Sequence, residues 1–172
     1  MGREKTSRTM PENPAALNRQ LLRHAVATVA YRGGKALRDA PDGFAEFRAG
    51  EESRSPAEVL AHISDVLDWG LTLAKGSEKY HVSDTVPWEK ASQRFFASLE
   101  ALDAYLASDA PLACSPEKLV QAPIADALTH VGQIAMLRRL AGGPMRPENY
   151  YVAEIVAGRA GAQQATPKLE FD

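Results

Sequence analysis

The stretch Pro123-Ile124-Ala125-Asp126-Ala127-Leu128-Thr129-His130-Val131-Gly132-Gln133-Ile134-Ala135-Met136-Leu137-Arg138-Arg139-Leu140-Ala141-Gly142 reads as one helix. Proline suits a first helical position, where its missing N–H costs nothing, and glycine suits the end. Asp126 and His130 stand four apart, so they lie one above the other on a face that continues through Ile134 and Leu137. An acid and an imidazole therefore share an apolar stripe, where burial is costly unless each finds a partner or a metal. Two readings of the pair are open. Asp126 can simply complement the helix dipole, with His130 a core histidine bonded to Asp126 or to a backbone carbonyl. Alternatively, both are ligands of a metal whose third ligand comes from another part of the chain.

Upstream, Ser115-Pro116-Glu117 can cap a single turn leading into this helix, and Ala110-Pro111 ends the one before it. That preceding helix opens around Thr85-Val86-Pro87-Trp88 and carries Trp88, Phe95, Leu99, Leu102 and Leu106 at helical spacing, which is a core stripe. Ser55-Pro56-Ala57-Glu58 is a strong start signal: a serine cap, a proline at the first position and a glutamate placed to close a capping box. The helix it opens has Val59, Ile63 and Val66 on its apolar face, with His62 and Trp69 along one flank. His62 thus points into or beside the core, while Glu58 has a sufficient role in the cap. The polar segment 77–86 makes His81 a solvated loop histidine. A first helix from Asn13-Pro14 places Leu17, Leu21, His24 and Thr28 on one face, so His24 is expected to point inward. Gly33-Gly34 is expected to end or weaken it, although 35–39 can resume it before Pro41-Asp42-Gly43 turns the chain.

These elements make an all-α chain, a four-helix bundle over residues 1–143 in which 1–12 form a polar leader. An irregular C-terminal arm, 144–172, carries Tyr150, Tyr151, Val152 and Ile155. It is expected to be ordered, with a short helix at 151–157, lying over the bundle or over a partner subunit. At 172 residues the chain is large enough for one domain with a real core. The net charge of −2, with no basic patch interleaved with aromatics, argues against nucleic acid and acidic membrane as partners. Cys114 is the sole cysteine, which rules out a disulfide framework and a Cys-rich zinc site, so any metal must use histidine, carboxylate or water. No secretory signal and no membrane-spanning run is legible, and a cytoplasmic protein is expected.

Two segments together carry a family resemblance: Leu60-Ala61-His62-Ile63-Ser64-Asp65-Val66-Leu67-Asp68-Trp69, and the run from Thr129-His130-Val131-Gly132-Gln133 to Gly142. Over roughly 14–142 the chain resembles the DinB-like (YfiT-like) family. The resemblance implies a four-helix bundle, often dimeric, with a divalent metal held by one histidine from the second helix and two residues from the last long helix. His62 matches the first of these and His130 the histidine before Gly132-Gln133, while Asp126 stands where the family usually has its other histidine. A carboxylate is a competent ligand, and two histidines plus a carboxylate leave positions open for water or substrate. In the contrary case, the departure has weakened binding, or His24 completes a three-histidine set. Gln133 would stand beside the ligands. The implied metal is zinc or nickel, with iron a further option. The implied chemistry is that of transferases and isomerases that use a low-molecular-weight thiol such as mycothiol or bacillithiol, with the metal binding the thiolate.

The expectation is therefore a metal-dependent, thiol-using transferase or related hydrolase, acting on a small-molecule substrate as a homodimer, with His62, Asp126 and His130 as metal ligands. No nucleophilic triad, separate general base or glycine-rich phosphate loop is visible, so the metal carries the whole enzymatic case. The alternative is a small-molecule-binding or stress-associated bundle without a functional metal. A third possibility is a module in which the arm serves dimerisation.

Overall fold

The first two long helices begin where a side chain can satisfy a free N–H group of the first turn. In the computed structural model, which describes residues 13–171, Asn13 Oδ1 accepts from the Ala15 N–H at 2.9 Å and Pro14 opens helix α1, Pro14–Leu37. The expected leader, 1–12, lies outside the described residues. Helix α2, Pro56–Lys75, starts with a complete capping box: Ser55 Oγ accepts from the Glu58 N–H, and the Glu58 carboxylate accepts from the Ser55 N–H at 2.7 Å. Gly76, with φ of 73°, closes it in the left-handed conformation. Helix α3, Trp88–Ala107, buries Phe95, Leu99, Leu102 and Leu106 of the stripe its spacing predicts, with Ala91 beside them, while Trp88 is half-buried and packs edge-on to Phe44.

Two expectations for α1 are corrected. Leu17 is 40% and Leu21 62% exposed, and His24 is exposed with them. The buried face is instead Leu22, Val26, Val29, Ala30 and Leu37, a stripe that stays apolar to the end of the helix and so removes more surface from water. His24 is therefore no candidate ligand. Nor does Gly33-Gly34 interrupt the helix. A Cβ on Gly33 would come within 2.4 Å of the Phe95 ring, so the glycine is there to let α3 approach the α1 backbone.

The final helix begins earlier than expected. Ser115 precedes a one-turn helix α4, Pro116–Leu119, which runs through a π-helical turn, Val120–Ile124, into α5, Ala125–Leu140. Pro123 is inside that turn, not at a first position. In a regular α-helix it would strand a carbonyl and clash with it, and the wider π turn absorbs both faults.

The four long helices pack as a bundle, with no strand among the described residues beyond the isolated bridge Glu148–Glu170. Gly33 against Phe95, and Arg23 bonded to Asp103 through two contacts of 2.9 and 3.0 Å, make α1 and α3 antiparallel. Gly70 against Pro123, and His62 against His130, do the same for α2 and α5. By contrast, α2 and α3 run in the same direction, since Arg94 reaches Asp65 and Lys75 reaches Tyr105. Residues 76–87 accordingly travel back along α2. Lys79 N–H donates to Thr72 Oγ1, Tyr80 packs edge-on to Trp69, and Ser83 N–H donates to the buried Asp65 carboxylate at 2.9 Å. No described helix is long and apolar enough to cross a membrane.

Beyond α5 the chain returns over α1. The Tyr31 hydroxyl donates to Glu148 at 2.6 Å, and Lys35 Nζ bridges Glu148 at 2.8 Å and Glu170 at 2.5 Å. The short helix expected at 151–157 is absent. Asn149 takes the Tyr151 N–H with its side chain and the Val152 N–H with its carbonyl, which diverts the backbone into turns, and Tyr151 is left 95% exposed.

Arg138 joins the ends of α1 and α5. Its buried guanidinium donates to the carbonyls of Ala36, Arg38, Asp39 and Gly143 at 2.5 to 3.2 Å, groups that neither helix can satisfy internally. Arg138→Met should lower the unfolding free energy by about 3 kcal/mol in urea titrations, because several buried carbonyls lose their donor. Exposed Arg139→Met should cost less than about 0.5 kcal/mol.

The ion cluster under the arm has a defined pH window. Hydrogen bonding to Lys35 holds the Glu170 carboxyl below the usual carboxylate range, so its contribution is complete above that range and lost as pH falls through the folded value. For Lys35, burial opposes the charge, but hydrogen bonds to Glu148 and Glu170 outweigh it and raise the pKa, so that contribution is present below the ordinary lysine value and lost above it. Tryptic cleavage in the arm, at the Arg159-Ala160 bond, should thus be slow near neutrality. After brief incubation below about pH 4, the arm should exchange amide hydrogens faster than the bundle core.

Candidate metal centre

On α5 the buried stripe is Ala127, Val131, Ile134 and Arg138, and Asp126 and His130 lie roughly a quarter-turn to one side of it, facing α2. They are on the rim of the core and not within it: the side chain of Asp126 is 44% exposed and that of His130 13%. Because α2 runs antiparallel to α5, its flank presents His62 to the same point. His62 Nε2 lies 3.6 Å from Asp126 Oδ2, and His130 Nε2 lies 3.3 Å from Asp126 Oδ1. The two imidazoles meet edge to face, with ring centroids 4.6 Å apart. One ligand atom from each of the three residues lies within 4.8 Å of the others, so the group can hold a metal ion.

The chemistry of these donors fits a metal better than it fits a hydrogen-bonded trio. Neither histidine–aspartate approach has the length or alignment of a good hydrogen bond. Each Nε2 atom instead lies 3.3 to 3.6 Å from one of the two Asp126 oxygens, and one ligand atom from each residue falls within the 4.8 Å over which an ion can gather them. Each imidazole also has a partner on its far nitrogen: His130 Nδ1 meets Gln133 Oε1 at 2.7 Å, and His62 Nδ1 meets the Tyr80 hydroxyl at 3.2 Å. A carbonyl oxygen can only accept, so His130 carries its proton on Nδ1 and turns a lone pair on Nε2 toward the cluster. Such outer partners fix the ring and tautomer of a metal-binding histidine. Asp126 has no lysine or arginine partner among the described residues, which leaves its charge available to a cation.

Burial, the neighbouring His130 and the cationic Arg54 all lower the His62 pKa, against smaller opposing effects of Asp126 and Asp65. His62 is thereby kept in the neutral form a metal requires. The Tyr80 hydroxyl is pushed up by burial and by the Asp65 and Asp126 carboxylates, so it remains a protonated phenol. Tyr80 is held there from a distance. Asp65, 3% exposed, binds Ser83 N–H and Arg94 together and so pins the returning segment to α2.

No family model, curated protein or solved structure matches this chain. His62, Asp126 and His130, singled out from spacing and from the family resemblance, come together; His24 and the loop residue His81 do not join them. Glu58 remains in its cap and pairs with Arg48 at 2.7 Å. Tyr80 was not legible as part of the site, because its position depends on a connection that doubles back. The Asp65 carboxylate, at helical spacing from His62 on an otherwise apolar face, was the one sequence signal that could have pointed to that connection.

If Gln133 and Tyr80 orient the two imidazoles, Gln133→Leu and Tyr80→Phe should each weaken zinc binding, by about 10- to 100-fold for the first, as measured by competition with a chromophoric chelator. Thermal unfolding of the metal-free proteins should change little.

Proposed function

We propose that the chain is a metal-dependent enzyme of the DinB-like kind, a transferase or related hydrolase that uses a low-molecular-weight thiol. His62, Asp126 and His130 hold a divalent metal, zinc or nickel, with iron a further option. The observation that carries the reading is the convergence of three ligand atoms from two helices, with the far nitrogen of each imidazole already engaged. Three protein ligands suit a reactive site, because positions remain for a substrate atom.

A bound metal would supply Lewis acidity, lowering the pKa of a coordinated thiol or water so that a nucleophile exists at neutral pH. The chain's own contributions are separate from that. Asp126 offsets part of the ion's charge. Tyr80 and Gln133 hold the rings, and His62 stays free of protons. A cavity of about 500 Å³, large enough for a small organic molecule, opens beside His62 and is also lined by Tyr80, Ser83, Thr85 and Arg48. The same cavity wall carries both signs of charge, with Arg48 and Arg54 beside Glu52, Glu58 and Asp65.

Protein purified without a tag or chelator should contain close to one equivalent of metal per chain by elemental analysis. His130→Ala should remove most of it, and Glu58→Ala none. Negligible metal after incubation with zinc, nickel and ferrous iron would exclude the reading and favour a bundle without catalytic function. Metal loading should fall on acidification, as protons compete for the imidazoles. Because the His62 pKa is lowered, its share of that loss should begin below the ordinary histidine value of about 6.5. In cobalt-substituted protein, a low-molecular-weight thiol should produce a sulfur-to-metal charge-transfer band in the near ultraviolet. A metal-loaded protein without that band would keep the site and lose the thiol.

A further inference from the structure

Gly132 has no structural reason to be glycine. It sits in the middle of α5 with helical backbone, where glycine costs about 1 kcal/mol relative to alanine. A Cβ built on it would meet nothing within 4 Å, unlike Gly33 and Gly70, which are pressed against Phe95 and Pro123. What the missing side chain leaves is space. Gly132 lines a cavity of about 240 Å³ bounded by α1, α5 and the arm. This cavity lies on the side of α5 facing α1, roughly a quarter-turn from the buried stripe and away from His130.

The walls of this cavity have a consistent chemistry. Leu128, Val131 and Met145 supply apolar surface and Tyr150 an aromatic ring. Three guanidinium groups, those of Arg32, Arg139 and Arg146, border the same space. Arg32 lies over the Tyr150 ring, 4.3 Å from its centroid, and neither Arg32 nor Arg139 has a carboxylate partner among the described residues. Arg146 is 3.9 Å from Glu170. The one acid in the lining, Glu148, is already engaged by Lys35 and Tyr31. The cavity thus keeps a net positive charge above an apolar floor, on the side of α5 away from the metal ligands.

We propose that this cavity is a second binding site, for a small organic carboxylate with an apolar or aromatic body. The guanidinium fork matches a carboxylate through two parallel hydrogen bonds, and Leu128, Val131 and Met145 offer an apolar wall to the ligand's body. The volume is below that of sites for drug-sized molecules, which restricts the ligand to about the size of benzoate. Since Arg146 and Tyr150 belong to the arm, an occupied cavity ties the arm more firmly to α1 and α5.

Isothermal titration of the full chain with benzoate tests this, with inorganic phosphate as the contrasting anion. Benzoate should bind, more weakly as salt rises, and should slow tryptic cleavage of the arm at the Arg159-Ala160 bond. Arg139→Gln should weaken binding about tenfold or more. Gly132→Leu should abolish it while leaving the thermal transition at or above that of the wild type; if that variant folds poorly, Arg139→Gln, at an exposed position, still decides the matter. Binding should survive His62→Ala, which disables the other place where a carboxylate could sit on a bound metal. The proposal is overturned if benzoate fails to bind at millimolar concentrations, if Gly132→Leu binds it as well as the wild type does, if His62→Ala abolishes binding, or if phosphate binds and benzoate does not.

Discussion

Pro123 has no N–H to give to the carbonyl one turn before it, and in a regular α-helix its ring would collide with that carbonyl. The chain answers with a π turn from Val120 to Ile124, and the ring so displaced is seated on the backbone of α2 at Gly70. No other residue type at position 70 admits that contact, since a Cβ would lie 2.8 Å from the proline ring. Proline and glycine together fix where α5 lies along α2. Because the two helices are antiparallel, this one contact brings His62, about two turns back along α2, level with the face of α5 that carries Asp126 one turn on and His130 two turns on. A slip of a single turn would carry the imidazoles about 5 Å apart along the axis and leave no common point for an ion.

Helix α5 is asked to do three things on three sides. Its buried stripe of Ala127, Val131 and Ile134 joins the core, one flank offers an acid and an imidazole to α2, and the other flank is hollowed at Gly132 toward α1. That division explains why its apolar pattern is weak for so central a helix. Polar residues occupy positions that an ordinary bundle helix would give to leucine, and the loss is offset at the helix end, where Arg138 satisfies carbonyls of two helices at once.

Much of this is written locally and can be read from the sequence. The capping box at Ser55 and the stripe of α3 depend on neighbours within a few residues, and both stand as expected. The Asp126/His130 spacing is equally local, whereas His62 is set apart from His24 only by the family resemblance, since both are expected to point inward or beside the core. What escaped depends on distant partners. The α1 pattern supports two stripes, and only the fit against Phe95 and the other helices selects the one containing Leu22 and Val26. Pro123 looks like a helix start until Gly70 is seen beneath it. The diversion at Asn149 in place of a short helix, and the four carbonyls gathered by Arg138, are likewise properties of the assembled chain.

The parallel course of α2 and α3 has a consequence for how far this chain can vary. Twenty residues of α2 rise about 30 Å, and residues 76–87 cover most of that distance in the opposite direction, within the roughly 40 Å that an extended chain of their length can reach. What fixes the connection is therefore its contacts with α2, at Thr72, Trp69 and Asp65, and not its length. An insertion or deletion between those contacts would put them out of register and free Tyr80 from His62. The connection between α3 and α4 carries none of these contacts. Among natural variants of this architecture, insertions and deletions should therefore accumulate after α3 and be rare after α2, and a constant spacing between Asp65 and Ser83 would mark the chains that keep the site assembled.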